Sequence, residues 1–167
     1  WQQDVRGHAD EIEILVLNDS TARIGALQSG RVDMINRVEP KVVELIANAP
    51  GITVRTAPSR AHYVFAAHCN TAPFDNLDLR LALKYALDRE EMVKTILRGH
   101  GTIGNDFPVN AGFPLFTELP QRPFDPEKAA FHYKASGHSG PILLQVSENA
   151  FPGAVDAAQL FQNSCAK

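Results

Sequence analysis

Alternating and helical segments follow one another over the first 56 residues, and this order constrains the fold more than any other feature. Segments of strand character are found at 11–17, 32–35 and 52–56, and segments of helical period at 22–27 and 42–46. In the first of them Ile12, Ile14 and Val16 share one face. Because a β-α-β-α-β order is typical of helices covering a sheet, it predicts an α/β layer.

The pattern changes after residue 58. A longer strand, rich in aromatic and histidine residues, is predicted at 61–70, followed by helices over 77–87 and 88–97. The stretch 99–123 is dense in glycine and proline, which is typical of a functional loop or one lying over a surface. Asp125 and Pro126 predict the start of a helix that ends at Gly137. A strand at 142–146 and a helix from residue 154 complete a predicted α/β fold with mixed sheets flanked by helices.

Composition and charge exclude several classes of protein. Hydrophobic residues make up 44% and charged residues 21% of the 167 residues, as in ordinary globular domains. The net charge is -3 and no basic block occurs, which argues against a nucleic-acid partner. No apolar run reaches the roughly 20 residues that cross a bilayer.

The two cysteines, Cys69 and Cys165, fit no metal-ligand spacing. An oxidising compartment would permit one long-range disulfide between them, and two free thiols are the alternative. The chain opens on Trp1 and closes on Lys167 inside a predicted helix, which favours an internal fragment of a longer protein.

Three groups of residues together carry a family resemblance. They are Asp19–Arg23 with Ala26–Gly30 and Val32–Met34; Asn70–Asn76 with Arg80, Ala82–Leu83, Tyr85–Ala86 and Asp88–Arg89; and Phe124–Ala129. In this order and spacing they resemble the dipeptide/oligopeptide/nickel-binding family (family 5) of extracytoplasmic solute-binding proteins of bacterial ABC importers. Taken alone, the same residues are helix caps, turns and close-packing positions, so they mark a scaffold and not a ligand site.

The resemblance implies a fragment of a two-lobed periplasmic-binding-protein-like fold. Residues 1–59 would form the C-terminal part of lobe I, and 60–167 the hinge crossing and the first half of lobe II. It also implies a non-enzymatic periplasmic protein that captures a solute, such as a peptide, for ABC permease subunits and needs no cofactor. A ligand-binding sensor or chaperone-like module on the same fold is the alternative function.

Two segments hold the candidate ligand contacts, because the resemblance places them near the cleft. The candidates are His62, Tyr63, Phe65, His68 and Asn70 on the strand, and Asn105 and Asp106 in the loop. Alternation puts the histidines and Asn70 on one face and the aromatic rings on the other, leaving open which face meets the ligand. Asp106 would pair with a ligand amino group, or else hold the loop by an Asx-type turn.

A metal-dependent enzyme built on this strand is a further, weaker hypothesis. His68 and Cys69 are neighbours and point to opposite faces, while His62 and His68 lie about 20 Å apart at strand rise. This geometry disfavours zinc and a Cys–His catalytic pair. Gly99 and Gly101 follow a predicted helix and not a strand, which excludes a dinucleotide-binding loop.

A fragment would lack part of each cleft wall. We therefore expect the 167-residue chain to bind solute poorly by itself. Apolar surface left exposed would also favour self-association.

Overall fold

The computed structural model describes residues 8–57 and 59–166. The chain divides into two compact units, residues 1–38 and 39–167. The predicted lobe boundary at residue 59 stays a prediction.

Helices account for the regular structure of the described residues. Their bounds are α1 Ser20–Gln28, α2 Val43–Ala47 after a 3₁₀ turn Pro40–Val42, α3 Leu77–Ala86, α4 Arg89–Glu91 continued by a π-helical turn Met92–Ile96, α5 Pro126–Ser136 and α6 Ala154–Cys165. Within these ranges no helix is long and apolar enough to cross a bilayer.

Side-chain caps fix where the helices begin, and the sequence predicted them. Asp19 accepts a hydrogen bond from the Ala22 N–H at the start of α1. Asp88 and Asp125 do the same for α4 and α5, each accepting from the N–H of the residue three positions later. These caps satisfy N–H groups that have no partner inside the helix. The predicted starts of these helices are confirmed.

Helix α3 lies at the centre of the second unit. Its Leu79 is fully buried, with 0% exposure, and Ala82 and Ala86 are also buried. The small alanine side chains let neighbouring helices approach closely, and α3 packs along α5 and also contacts α6. Burying one leucine side chain contributes about 1.5–3 kcal/mol to folding.

Polar contacts join the same three helices. The Ser164 hydroxyl of α6 is buried and donates to the Ala86 carbonyl at 2.7 Å. The Asn76 amide, which precedes α3, donates to the Ser136 carbonyl at 3.0 Å. Each bond satisfies a carbonyl near a helix end, where no helical N–H is available. The three helices therefore have a defined relative position.

The predicted α/β fold with mixed sheets flanked by helices is wrong for the described residues, where no strand is present. The segments predicted as strands form neither helix nor sheet, and no second strand pairs with them in the described part of the chain. Ile12, Ile14 and Val16 are 76%, 81% and 82% exposed, so the apolar face that the alternation identified is uncovered. Alternation indicates which side chains share a face, whereas a sheet also needs a hydrogen-bonded neighbour.

Several other large apolar side chains are exposed in the described part of the chain. Among them are Met34, Leu45, Leu115, Phe131 and Leu143. Surface of this kind is consistent with the expected self-association, which stays a prediction.

Gly153, which caps α6, provides a test of the packing. Its φ is +83° and an added Cβ would lie 2.8 Å from Ile96 Cγ2. We expect Gly153→Ala to lower the free energy of unfolding by about 1–2 kcal/mol, since the left-handed conformation disfavours a side chain. Urea denaturation measures the change. Gly104→Ala is the control because nothing lies within 4 Å of its Cβ position; equal losses in the two variants would contradict this explanation.

Asp125 makes stability depend on pH at the start of α5. The Lys128 N–H hydrogen bond, and then the Lys128 ammonium at 3.1 Å, lower the pKa of the Asp125 carboxyl. A lowered folded-state pKa stabilises the fold above the ordinary carboxyl pKa, and this contribution disappears as pH falls through the folded value.

Asp125→Asn keeps a capping side chain but cannot titrate. We therefore expect a shallower loss of stability on acidification, measured by denaturant unfolding at a series of acidic pH values. Asp75→Asn is the matched control, since Asp75 is exposed and caps no helix. If the free energy of unfolding of Asp125→Asn fell on acidification as steeply as that of the unsubstituted protein, the assignment of this pH dependence to Asp125 would be refuted.

Candidate functional site

The extended segment 61–70 packs through its aromatic face. The Tyr63 ring stacks on Phe151 with centroids 4.3 Å apart and an interplanar angle of 12°. The Phe65 ring stacks on Phe161 of α6 at 5.1 Å and 17°. Such pairs add to the apolar burial of the rings. The chain itself therefore covers this face in part: Phe65 is half-buried, and Tyr63 keeps 52% of its surface exposed.

The opposite face of the segment is open. His62, Val64, Ala66 and His68 are all exposed. Among the described residues, no backbone hydrogen bond involves the N–H or C=O groups of residues 62–66. The structure thus separates an aromatic face that contacts the chain from an open face that carries the histidines, a distinction that the alternation alone left unresolved. The unpaired backbone groups point along the edges of the segment, between the two faces.

The segment ends in a turn at residues 68–71. The His68 carbonyl accepts from the Thr71 N–H at 3.1 Å, and Asn70 is exposed beside it. Cys69 and Cys165 are free thiols. Although Cys165 is exposed as a residue, partial burial of its thiol raises its pKa. Across residues 8–57 and 59–166, no three His, Cys, Asp or Glu side chains come together as metal ligands.

Asn105 holds the 99–123 loop together. Its side-chain amide donates to the Pro120 carbonyl at 2.7 Å and to the Leu119 carbonyl at 3.3 Å. Its side-chain oxygen accepts from the Arg122 N–H at 2.9 Å. Both polar atoms of the Asn105 side chain therefore form hydrogen bonds with other residues of the loop.

Asp106 is surrounded by cations. Its carboxylate pairs with the Arg89 guanidinium, accepts from Arg122 Nε at 2.8 Å and lies 3.9 Å from Lys84 Nζ. Its φ of +54° is a left-handed conformation that aspartate tolerates better than most residues. The arrangement favours the loop-holding role, because a ligand amino group would compete with two guanidinium groups.

The same loop also binds the start of the 61–70 segment. Arg60 Nε donates to the Gly112 carbonyl at 2.9 Å, and the Arg60 guanidinium lies 5.1 Å from the Phe113 ring centroid. The Asn110 amide donates to the Ser59 carbonyl at 3.3 Å. The loop therefore connects the corner between α3 and α4 to the segment that holds most of the ligand candidates.

The seven predicted site residues do not form one cluster. Five lie on segment 61–70 and two lie in the loop, and the described contacts join the segments through Arg60 and Asn110 instead. Sequence reasoning missed Arg60, Arg89 and Arg122. Their partners lie 52, 17 and 16 residues away, and no local spacing signals a contact at such separations.

Comparison with known proteins gives a consistent set of relatives. Heme-binding protein A of Haemophilus influenzae is 31% identical over 122 residues, covering 72% of this chain and 22% of that protein. Glutathione-binding protein GsiB of Salmonella choleraesuis is 27% identical over 142 residues, covering 83% of this chain and 27% of the relative. Di/tripeptide-binding protein 1 of Pseudomonas aeruginosa is 22% identical over 175 residues, covering 100% of this chain and 32% of the relative.

The chain thus spans less than a third of the length of each of these relatives, since it covers 22%, 27% and 32% of them. The sequence model described as "Bacterial extracellular solute-binding proteins, family 5 Middle" matches all residues from 1 to 167. These matches agree with the resemblance carried by the caps and turns. The chain belongs to family 5 of the bacterial extracellular solute-binding proteins.

Proposed function

We propose that this protein captures a peptide outside the cytoplasm, in the periplasm, and delivers it to the permease subunits of an ABC importer. The family supports solute binding, and two of the relatives are named for glutathione and for di- and tripeptides. Both names denote short peptides or peptide-like solutes. A role as a binding protein and not as an enzyme fits the same relatives.

One structural observation supports a peptide in particular. Segment 61–66 forms neither helix nor sheet, its Tyr63 and Phe65 rings stack on other parts of the chain, and the backbone groups of residues 62–66 lack partners within the described chain. An extended peptide can satisfy such groups by pairing along the edge of the segment as a neighbouring strand, which gives affinity with loose side-chain specificity. On this proposal the exposed His62 and His68 side chains reach over that edge to the ligand.

The proposal also assigns different roles to the candidate residues. Tyr63 and Phe65 would position the segment from behind through Phe151 and Phe161. Asn105 and Asp106 would act through the loop, whose contacts with Ser59 and Arg60 hold the start of the segment. On the opposite face, His62 and His68 would touch solute directly.

The test of peptide binding uses the natural, full-length protein. The protein is mixed with dipeptides, tripeptides and glutathione, the bound species is identified by native mass spectrometry, and its affinity is measured by calorimetry. We expect a one-to-one peptide complex. His62→Ala and His68→Ala should each weaken it about threefold to tenfold, the effect of losing one hydrogen bond.

His100→Ala is the matched control, because His100 is exposed in the same unit and lies outside segment 61–70. Its affinity should equal that of the unsubstituted protein. If no peptide complex forms, the proposed solute class is wrong. If a complex forms but both histidine variants bind as tightly as His100→Ala, the assignment of the open face is wrong.

A further inference from the structure

Two cationic side chains lie over the Tyr85 ring, and two more meet one of them at Asp106. We call Lys84, Arg89, Arg122 and Lys128 the Tyr85 basic cluster. Arg122 Cζ lies 4.9 Å and Lys128 Nζ 5.5 Å from the ring centroid, and Lys84 and Arg89 meet Arg122 at Asp106. The cluster is formed by α3, the start of α4, the 99–123 loop and the start of α5.

The cluster holds more positive than negative charge. Its four cations form ion pairs with two carboxylates, Asp106 and Asp125, and the second pairs with Lys128 at 3.1 Å. A third carboxylate, Asp78, lies 2.8 Å from Nδ1 of His132, whose ring stacks on Tyr85. The remaining three cations share the Asp106 carboxylate. This excess occurs in a chain whose net charge is -3, so it is a local feature and not a consequence of overall composition.

Partial burial strengthens the electrostatic effect of this excess charge. The side chains of Arg89 and Asp106 are 10% and 18% exposed, so water screens them less than it screens a surface pair. Lys84 is 41% exposed and open to solvent. The positive charge of the cluster therefore reaches from the partly buried Arg89 to the solvent-accessible Lys84.

Arg122 has hydrogen-bonding capacity that the chain does not use. Its Nε donates to Asp106 and its backbone N–H to Asn105. Its two terminal guanidinium nitrogens donate to none of the described residues, while the Asp106 bond at Nε and the Tyr85 ring 4.9 Å from Cζ hold the group in place. A guanidinium fixed in this way presents a paired set of donors that fits two oxygens of an oxyanion.

Lys84 approaches the same carboxylate as Arg122. Lys84 Nζ and Arg122 Nε lie 3.9 Å and 2.8 Å from one Asp106 oxygen, which leaves the terminal nitrogens of Arg122 on the far side of its guanidinium. We propose that the Tyr85 basic cluster is an oxyanion-binding site that takes a carboxylate or phosphate group at these terminal nitrogens, with Lys84 as the second cation. The group would offset the surplus charge and contact donors that are otherwise unused. This site is separate from the proposed peptide site.

The proposal is tested by following backbone amide resonances of the ¹⁵N-labelled protein at constant ionic strength. Inorganic phosphate and succinate are titrated separately. We expect saturable shifts at residues 84–89, 104–106 and 121–122, with dissociation constants on the order of millimolar. Tighter binding of phosphate would identify a tetrahedral oxyanion, and tighter binding of succinate a carboxylate.

Two variants and one control distinguish a specific site from general electrostatic attraction of anions to the protein. Lys84→Gln changes an exposed side chain and should weaken binding about fivefold to tenfold, as should Arg122→Gln. Lys134→Gln removes the same charge from an exposed position on α5 and should leave the dissociation constants unchanged. Shifts that do not saturate, or equal weakening in Lys84→Gln and Lys134→Gln, would overturn the proposal. Loss of peptide binding would not affect it.

Discussion

The packing of α3 between its neighbours is the interaction on which the second unit depends. Leu79, Ala82 and Ala86 are buried, and the small side chains let α5 and α6 approach the helix. Close approach also brings the Ser164 hydroxyl within 2.7 Å of the Ala86 carbonyl. Apolar burial supplies the stabilisation, whereas the hydrogen bonds determine how each helix is placed.

Two features with different chemistry are attached to this helical core. Stacking of Phe65 on Phe161 fixes one face of the extended segment to α6. On another side, Asp106 fixes the 99–123 loop to Lys84 and Arg89 at the corner of α3 and α4. The loop then reaches Arg60, so the start of the segment is held both by the loop and by the core.

The family and the geometry support each other in different ways. Family membership gives solute binding and says little about which residues perform it. The geometry divides segment 61–70 into an aromatic face that contacts the chain and an exposed face with His62 and His68. The names of the relatives span heme, glutathione and di- and tripeptides, so related scaffolds serve different solutes.

Helix starts and turns were determined by the sequence itself. Asp19, Asp88 and Asp125 cap the helices they were predicted to cap, because a cap needs only a short polar side chain and an N–H three residues away. The caps, turns and close-packing positions also carried the family, since they are local and occur in a fixed order. Only the tertiary structure decided that Ile12 and Ile14 face solvent, that Tyr63 meets Phe151, and that Asp106 gathers three cations. These contacts depend on residues far along the chain, or on a neighbouring strand that would cover the apolar face. The spacing of apolar residues within one segment contains no information about such partners.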